Sequence, residues 1–198
     1  MLACGKAMAI LCLMRITGGQ ARGIPLTTGK GKHVRPATDR MREAVFSSLG
    51  QRINEARFLD LFAGSGSYGL EALSRGASGG IFVEKHPQAV AALQQNLQAV
   101  LKSLGNPGDT SVKVTRLDVM RFASEQTFDL IFMDPPYELA RTHGSQLVEK
   151  AAAVLASDGI LVYELPGDLE LPAGNWTCLR RIGKSGTNEP STAILTRD

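Results

Sequence analysis

The sequence predicts an α/β fold: a mostly parallel, seven-stranded sheet with helices on both faces and an antiparallel hairpin at its C-terminal end. Three observations carry that expectation. From residue 57 onward, short apolar runs alternate with amphipathic segments, the pattern of strand–helix–strand units. The strand runs are densely apolar rather than alternating, as expected of strands covered on both sides. The chain's unusual residues fall at the carboxyl ends of those runs, where open α/β sheets hold their ligands.

The elements follow in order. "RFLDLFAG" (57–64) is a dense hydrophobic strand, and "SYGLEALSRG" (67–76) has the Leu70/Leu73 spacing and terminal Gly76 of a helix. "GGIFVEK" (79–85) is the second strand. "PQAVAALQQNLQAVLKSLG" (87–105) is a long amphipathic helix with Pro87 in its first turn and Gly105 at its end. Strands three and four are "SVKVTRLD" (111–118) and "FDLIFMD" (128–134); a helix over 143–156 and a strand "GILVYEL" (159–165) come next. "NWTCLRRIG" (175–183) and "STAILTR" (191–197) pair as the closing hairpin.

Upstream the style differs. Residues 14–36 read as a hairpin or small ribbon followed by a loop, and Thr38 or Asp39 caps a helix running to about Leu49. Residues 1–13 form an N-terminal extension whose apolar part, Ala7–Met14, is too short to span a bilayer. The expected organisation is therefore 1–13 extension, 14–50 basic ribbon and helix, and 51–198 main domain. A chain of 198 residues suits one substantial core. Cys4, Cys12 and Cys178 form no CxxC or Cys/His cluster, so neither a disulfide scaffold nor a metal site is expected and a reducing cytoplasm fits best.

Charge is divided unevenly. Residues 1–57 carry ten Lys/Arg against three acids, net +7, while the remainder is net −4. A basic front on a mildly acidic body is a footprint for a polyanion, with a solvated basic surface as the plain alternative.

"DLFAGSGSYG" contains Gly64, Gly66 and Gly69 in a GxGxxG pattern, with Glu84 ending the next strand. Strand, glycine turn, helix and acid together predict a nucleoside-containing cofactor, the carboxylate accepting the ribose hydroxyls. An NAD site would also need groups that handle a carbonyl. Two acids favour S-adenosylmethionine instead. Asp60, inside the first strand, is placed to reach the cofactor's amino group. Asp118 in "RLDVM" is placed to accept from the adenine amine, with Val119 and Phe122 around the ring. A solvated turn remains the alternative for Asp118.

"FDLIFMDPPYE" (128–138) ends an apolar strand in Asp134, Pro135, Pro136 and Tyr137. Methyl transfer from a sulfonium needs no metal, only an acceptor lone pair held in line. Asp134 and the Pro135 carbonyl can accept hydrogen bonds from the two N–H groups of an exocyclic amine. Prolines present carbonyls on a stiff loop without competing N–H donors. Tyr137 offers a flat face to a base taken out of its stack.

With these motifs in place the chain resembles a known family. "DPPY" resembles the signature of amino-methyltransferases acting on adenine N6, cytosine N4, guanine N2 or glutamine. "MRITGGQARG" (14–23), "RPATDRMREAVFSSL" (35–49), "FLDLFAGSGSYGLEALSRGA" (58–77) and "FVEKHPQAVAALQQNL" (82–97) together resemble the bacterial 16S ribosomal RNA guanine-N2 methyltransferase family. The resemblance runs from Met14 to about Lys184. It implies a Rossmann-like class I methyltransferase fold, S-adenosyl-L-methionine as cofactor, and the guanine at position 966 (rRNA numbering) as acceptor. It further implies a partly assembled small ribosomal subunit as partner; no membrane association and a cytoplasmic monomer are the accompanying expectations.

Residue by residue, the resemblance implies that Asp134, Pro135 and Tyr137 hold the guanine. Glu84 binds ribose, Asp118 faces adenine, and Gly64 and Gly66 pass the methionine moiety. The Arg15–Gly23 ribbon, with Gly18, Gly19 and Arg22, meets RNA. Arg35, Thr38, Arg40 and Glu43 border the site. Two departures stand out: the extension, and "GKSGTNEPSTAIL" (183–195) where the family tends to have an aromatic-glycine-threonine run after a lysine. Competing readings are an amino-methyltransferase for adenine N6 of RNA or DNA, a non-catalytic RNA-binding assembly protein, and an NAD oxidoreductase.

Overall fold

A computed structural model describes residues 14–28, 39–109, 111–171 and 173–197. The expectations for the 1–13 extension, for the loop through Arg35 and for Thr38 as a cap lie outside these residues. Within them, the N-terminal ribbon is a small hairpin. Arg15 bridges Pro25, and Ile16 donates its N–H to Ile24 O at 2.9 Å. Helix α1 (Asp39–Leu49) follows, then a 3-10 turn at Gly50–Ile53.

The body runs β1 (Arg57–Leu61), α2 (Ser67–Ser74), β2 (Gly79–Glu84), α3 (Pro87–Ser103), β3 (Val112–Arg116), β4 (Phe128–Met133), α4 (Tyr137–Val154), β5 (Leu155–Pro166), β6 (Trp176–Gly183) and β7 (Pro190–Arg197). The strands make one sheet in the order β3-β2-β1-β4-β5-β7-β6. The first five are parallel; β7 runs antiparallel to β5 and to β6. The chain builds outward from β1 through β2 to β3, then restarts with β4 on the other side of β1. The order switch between β1 and β4 opens a crevice at their carboxyl ends.

Strand alternation sends successive side chains to opposite faces. On one face, Phe58, Phe82, Leu130, Phe132, Ile160 and Val162 pack against α2, α3, α1 and the ribbon residues Met14, Ile16, Ala21 and Leu26. The ribbon and α1 thus share the sheet's core. On the other face, Leu59, Ile131, Leu161 and Tyr163 meet Leu147, Val148 and Ala151 of α4. Each fully buried Phe or Leu contributes roughly 1.5–3 kcal/mol, so both helical layers are firmly held.

Three boundaries differ from expectation by three residues or more. Strand β1 ends at Leu61 rather than continuing to 64, because Phe62 turns into the left-handed region at φ 62° and the turn runs on through Gly64 and Gly66. Helix α4 begins at Tyr137 rather than 143. Pro136, at φ −51° and ψ 137°, occupies the cap position, and His143 interrupts the helix with φ −131°. The short helical stretch before His143 has no apolar periodicity of its own to betray it. Strand β5 starts at Leu155, ahead of the expected 159, because a register irregularity against β4 lets Leu155 pair with Phe128 before Ile160 pairs with Leu130.

Candidate active site

Register aligns the strand ends into rows. Phe82, Asp60, Phe132 and Val162 lie side by side across β2, β1, β4 and β5. Two residues further on the same face come Glu84, Asp134 and Glu164. The position between Glu84 and Asp134 belongs to Phe62, whose left-handed turn sends its ring to the opposite-face cluster. A positive φ at a bulky residue is strained and persists where the surroundings enforce it. Its effect here is an opening at the order switch.

That opening is a cavity of about 340 Å³, within the size range of small-molecule sites. Its wall comprises Phe62, Gly64, Val83, Glu84, Lys85, His86, Leu117 and Val119 after the first three strands. Asp134, Pro135, Pro136, Tyr137 and Glu164 complete it after the next two.

On the Glu84 side the geometry is well fixed. Glu84 Oε2 accepts from Gly64 N at 2.9 Å and Oε1 from His86 N at 2.8 Å. Two backbone donors orient the carboxylate and leave further lone pairs for a ligand diol. Gly64, at φ 55°, would bring an added Cβ no nearer to a neighbour than 3.9 Å, at Phe62 O, so a ligand can approach its backbone. Gly66 and Gly69 serve packing: an added Cβ would stand 2.2 Å from Leu93 Cδ1 and 2.3 Å from Phe82 Cε1, respectively.

On the acceptor side, Pro135 is buried, whereas Asp134 and Tyr137 are half-buried. Burial holds the Asp134 carboxyl well above the usual carboxylate range, and the charges of Glu164 and Asp60 push the same way. Burial likewise lifts Glu164 to about 7, opposed by a hydrogen bond from Tyr68. Tyr68 Oη donates to Glu164 Oε2 at 3.2 Å. The Tyr68 ring is stacked on Phe132 at 5.4 Å and on Phe46 at 6.2 Å, so α1 and β4 fix the donor that fixes Glu164.

Of the residues singled out in the sequence, the structure brings Gly64, Glu84, Val119, Asp134, Pro135 and Tyr137 together in one wall. Other expected residues sit elsewhere. Asp60 is not in the wall. It is buried beneath the glycine turn, its Oδ2 accepts from Gly69 N at 2.9 Å, and burial raises its pKa to about 7. Gly66 also lies outside the wall, for the packing reason above. Asp118 is flanked by wall residues but does not line the cavity. Its Oδ1 caps the following turn by accepting from Met120 N at 2.9 Å, and that bond holds its pKa below the usual range, with desolvation opposing it and Lys85 assisting. Phe122 lines an adjoining cavity with Leu59, Leu61 and Val154, and Val119 is common to both.

The expected RNA-facing residues divide in the same way. Arg22 and Arg40 are exposed. Arg15 is also exposed and lies 3.6 Å from Asp39. Gly18 and Gly19 instead dock on α2: an added Cβ would stand 2.2 Å from Arg75 Nη2 at the first and 1.9 Å from Ser74 O at the second. Arg35 lies outside the described residues.

Sequence reasoning missed two acids. Glu164 carried the same signal that singled out Asp60, an acid inside an apolar strand run. Glu71 carried none, being a helical Glu among ordinary neighbours. It is fully buried. It accepts from Thr17 N (2.8 Å), Thr17 Oγ1 (2.7 Å), Gly18 N (2.8 Å), Arg42 Nε (3.4 Å) and Arg75 Nε (2.8 Å). Glu71 ties the ribbon, α1 and α2 into one unit.

Known proteins are similar to this chain in sequence and architecture. The pattern defining the family described as Conserved hypothetical protein 95 matches residues 14–191. The Ribosomal RNA small subunit methyltransferase D of Escherichia coli strain K12 is 34% identical over 171 residues, 84% of this chain and 83% of its own. The protein of the same name from Haemophilus influenzae is 34% identical over 175 residues, covering 84% and 86%. Among solved structures, the methyltransferase yhhF of Escherichia coli superposes with a TM-score of 0.77 at 30% identity, covering 93% of this chain and 98% of the other. A hypothetical protein of Thermus thermophilus gives a TM-score of 0.72 at 32% identity, covering 93% and 99%. With a family match over nearly the whole described chain and relatives this similar, the chain belongs to the Conserved hypothetical protein 95 family, that of the small-subunit ribosomal RNA methyltransferase D proteins.

Proposed function

We propose that the protein transfers a methyl group from S-adenosyl-L-methionine to the exocyclic N2 amine of a guanine in 16S ribosomal RNA, the acceptor being position 966. The observation that carries this reading is the sharing of one cavity by Glu84 and the Asp134–Pro135 strand end. A diol-binding carboxylate and an amine-gripping pair thus stand side by side. The cofactor, when bound, supplies an electrophilic methyl on a sulfonium.

The chain's own residues do the rest. Glu84, oriented by Gly64 and His86, accepts the ribose hydroxyls, and Leu117 and Val119 offer apolar contact to the adenine. Asp134 and the Pro135 carbonyl accept from the two amine N–H groups, which aligns the nitrogen lone pair and favours positive charge on it. In its ionised form Asp134 can also take the proton that the methylated amine sheds. Tyr137, at the start of α4, stands at the wall to stack on the base. Exposed Arg15, Arg22 and Arg40 meet the RNA backbone, with Arg35 as a further cation of the same basic front. No helix among the described residues is long and apolar enough to cross a membrane. We place the reaction in the cytoplasm, with a monomer acting on a partly assembled small subunit.

The test is methyl transfer from labelled adenosylmethionine to small subunits from cells lacking the enzyme, with the modified nucleotide mapped. Label on the N2 of one guanine is expected; label on an adenine, or none on RNA, overturns the reading. Asp134→Asn removes the carboxylate while keeping its shape and lowers kcat by roughly 10²-fold or more.

A further inference from the structure

The acceptor side of the cavity contains a second carboxylate that the grip on the amine leaves unused. Met133 and Tyr163 are paired across β4 and β5, so Asp134 and Glu164 stand next to one another and share a face. Glu164 is only 4% exposed, yet it forms part of the cavity wall. Its Oε2 accepts from Tyr68. A carboxylate can accept about four hydrogen bonds, so this one has capacity left for a donor that a ligand brings into the cavity, and burial makes that donor valuable.

The edges of the bases decide which ligand suits it. Guanine presents an N1–H donor next to its N2 amine, so its donors lie in a row. Adenine beside its N6 amine, and cytosine beside its N4 amine, present a bare ring nitrogen that accepts. An ionised carboxylate attracts the first arrangement and repels the other two. We propose that Glu164 accepts a hydrogen bond from guanine N1–H while Asp134 and Pro135 hold the N2 amine, which makes Glu164 the residue that selects guanine. This inference rests on the methyl-transfer reading above and adds the origin of its base specificity.

The state of Glu164 matters, because a protonated carboxyl donates where the carboxylate accepts. Its pKa of about 7 places that exchange within an accessible range. The titratable groups around it are Asp134 after β4 and Tyr68 on α2, with Tyr137 of α4 in the same cavity wall; its β7 neighbour is the uncharged Thr192. Asp134 meets the amine whichever base is present, so its own titration largely cancels when two bases are compared at one pH.

The experiment uses the full-length protein and small subunits reconstituted with ribosomal RNA carrying either guanine or 2-aminopurine at the acceptor position. 2-Aminopurine keeps the N2 amine but has an acceptor at N1. The wild type is expected to favour guanine by on the order of 100-fold in kcat/KM at pH 8. In Glu164→Gln the side-chain amide can donate to N1, and the ratio should fall at least roughly tenfold, with the 2-aminopurine rate rising in absolute terms. A Gln variant that binds adenosylmethionine normally but shows the wild-type base ratio, or that loses both bases alike, overturns the proposal. The wild type alone gives a second readout: lowering the pH from 8 to 6 should shift the ratio toward 2-aminopurine, and a ratio flat with pH also overturns it. If the wild type methylates neither base in the subunit, it is the proposed function that fails.

Discussion

Replacing Glu71 with alanine tests how the basic ribbon is held. Five donors converge on this carboxylate, and Arg42, one of their sources, is itself fully buried. After the substitution Arg42 keeps Asp39 Oδ1 at 2.9 Å and the Arg15 carbonyl but loses its buried counter-charge. Hydrogen bonds to a charged group contribute about 1.5–3 kcal/mol each, and these five share one carboxylate, so they do not sum. Breaking a buried pair from one side costs about 3–5 kcal/mol, which is the expected loss. Urea unfolding followed by circular dichroism measures it, and amide exchange at Thr17 and Gly18 should quicken beyond the global change. The double substitution Glu71→Leu with Arg42→Met removes both charges and should recover most of the loss. A Glu71→Ala protein within about 1 kcal/mol of wild type, or a double variant no better than the single one, refutes the reasoning.

Two further outcomes follow from the site. Glu84→Gln replaces one acceptor oxygen by a donor facing a backbone N–H, so the dissociation constant for adenosylmethionine should rise roughly 10–100-fold by calorimetry; a change under about twofold would remove the ribose role. The free protein should also lose stability as pH rises from about 5 to 8. Glu164 has its folded pKa raised from 4.5 to about 7, and Asp60 is raised to about 7 as well, so the folded state binds more protons than the unfolded one across that interval. Their favourable contribution is complete below the unfolded values and is lost as pH passes the folded ones. For Glu164 alone this amounts to at most about 3 kcal/mol. Urea midpoints should decline over the interval, Glu164→Gln should flatten the decline, and midpoints that rise instead would count against both buried acids.

The parts legible in the sequence are those encoded locally. Strands β1 to β4 are recognisable because each is a short apolar run bounded by turn residues, and the glycine turn with Glu84 and the Asp134–Tyr137 exit declares itself by composition. What was not legible depends on pairings between distant segments. Nothing near Glu71 in sequence announces Thr17, Arg42 and Arg75 as its partners. Gly18 and Gly19 read as glycines for approaching a phosphate backbone, and nothing in their own stretch announces their close approach to Ser74 and Arg75. Asp60 stands out in sequence as an acid within an apolar strand, but its partner is the Gly69 N–H. Composition reveals that a buried acid needs a donor; only the fold reveals which donor it has.

The distribution of charge explains why an acidic site and a basic front belong to one protein. Glu84, Asp134 and Glu164, at the ends of β2, β4 and β5, line a cavity of about 340 Å³, with Asp60 behind it. Such a cavity repels phosphate and suits a cationic cofactor and a base edge rich in donors. Attraction for a nucleic acid must therefore come from outside it. Of the basic residues in the front, Arg42 is consumed by Glu71 and Asp39, while Arg22 and Arg40 remain exposed. Backbone contacts of this kind supply affinity without reading sequence. The proposed function then calls for a base extruded from the strand, its phosphates staying at the ribbon and only its donor edge entering among the carboxylates. Glu71 links the two functions mechanically, since the helix that follows the glycine turn also holds the ribbon. On the proposed function, loosening that link should weaken RNA binding while leaving Glu84, Gly64 and the cavity beside them in place.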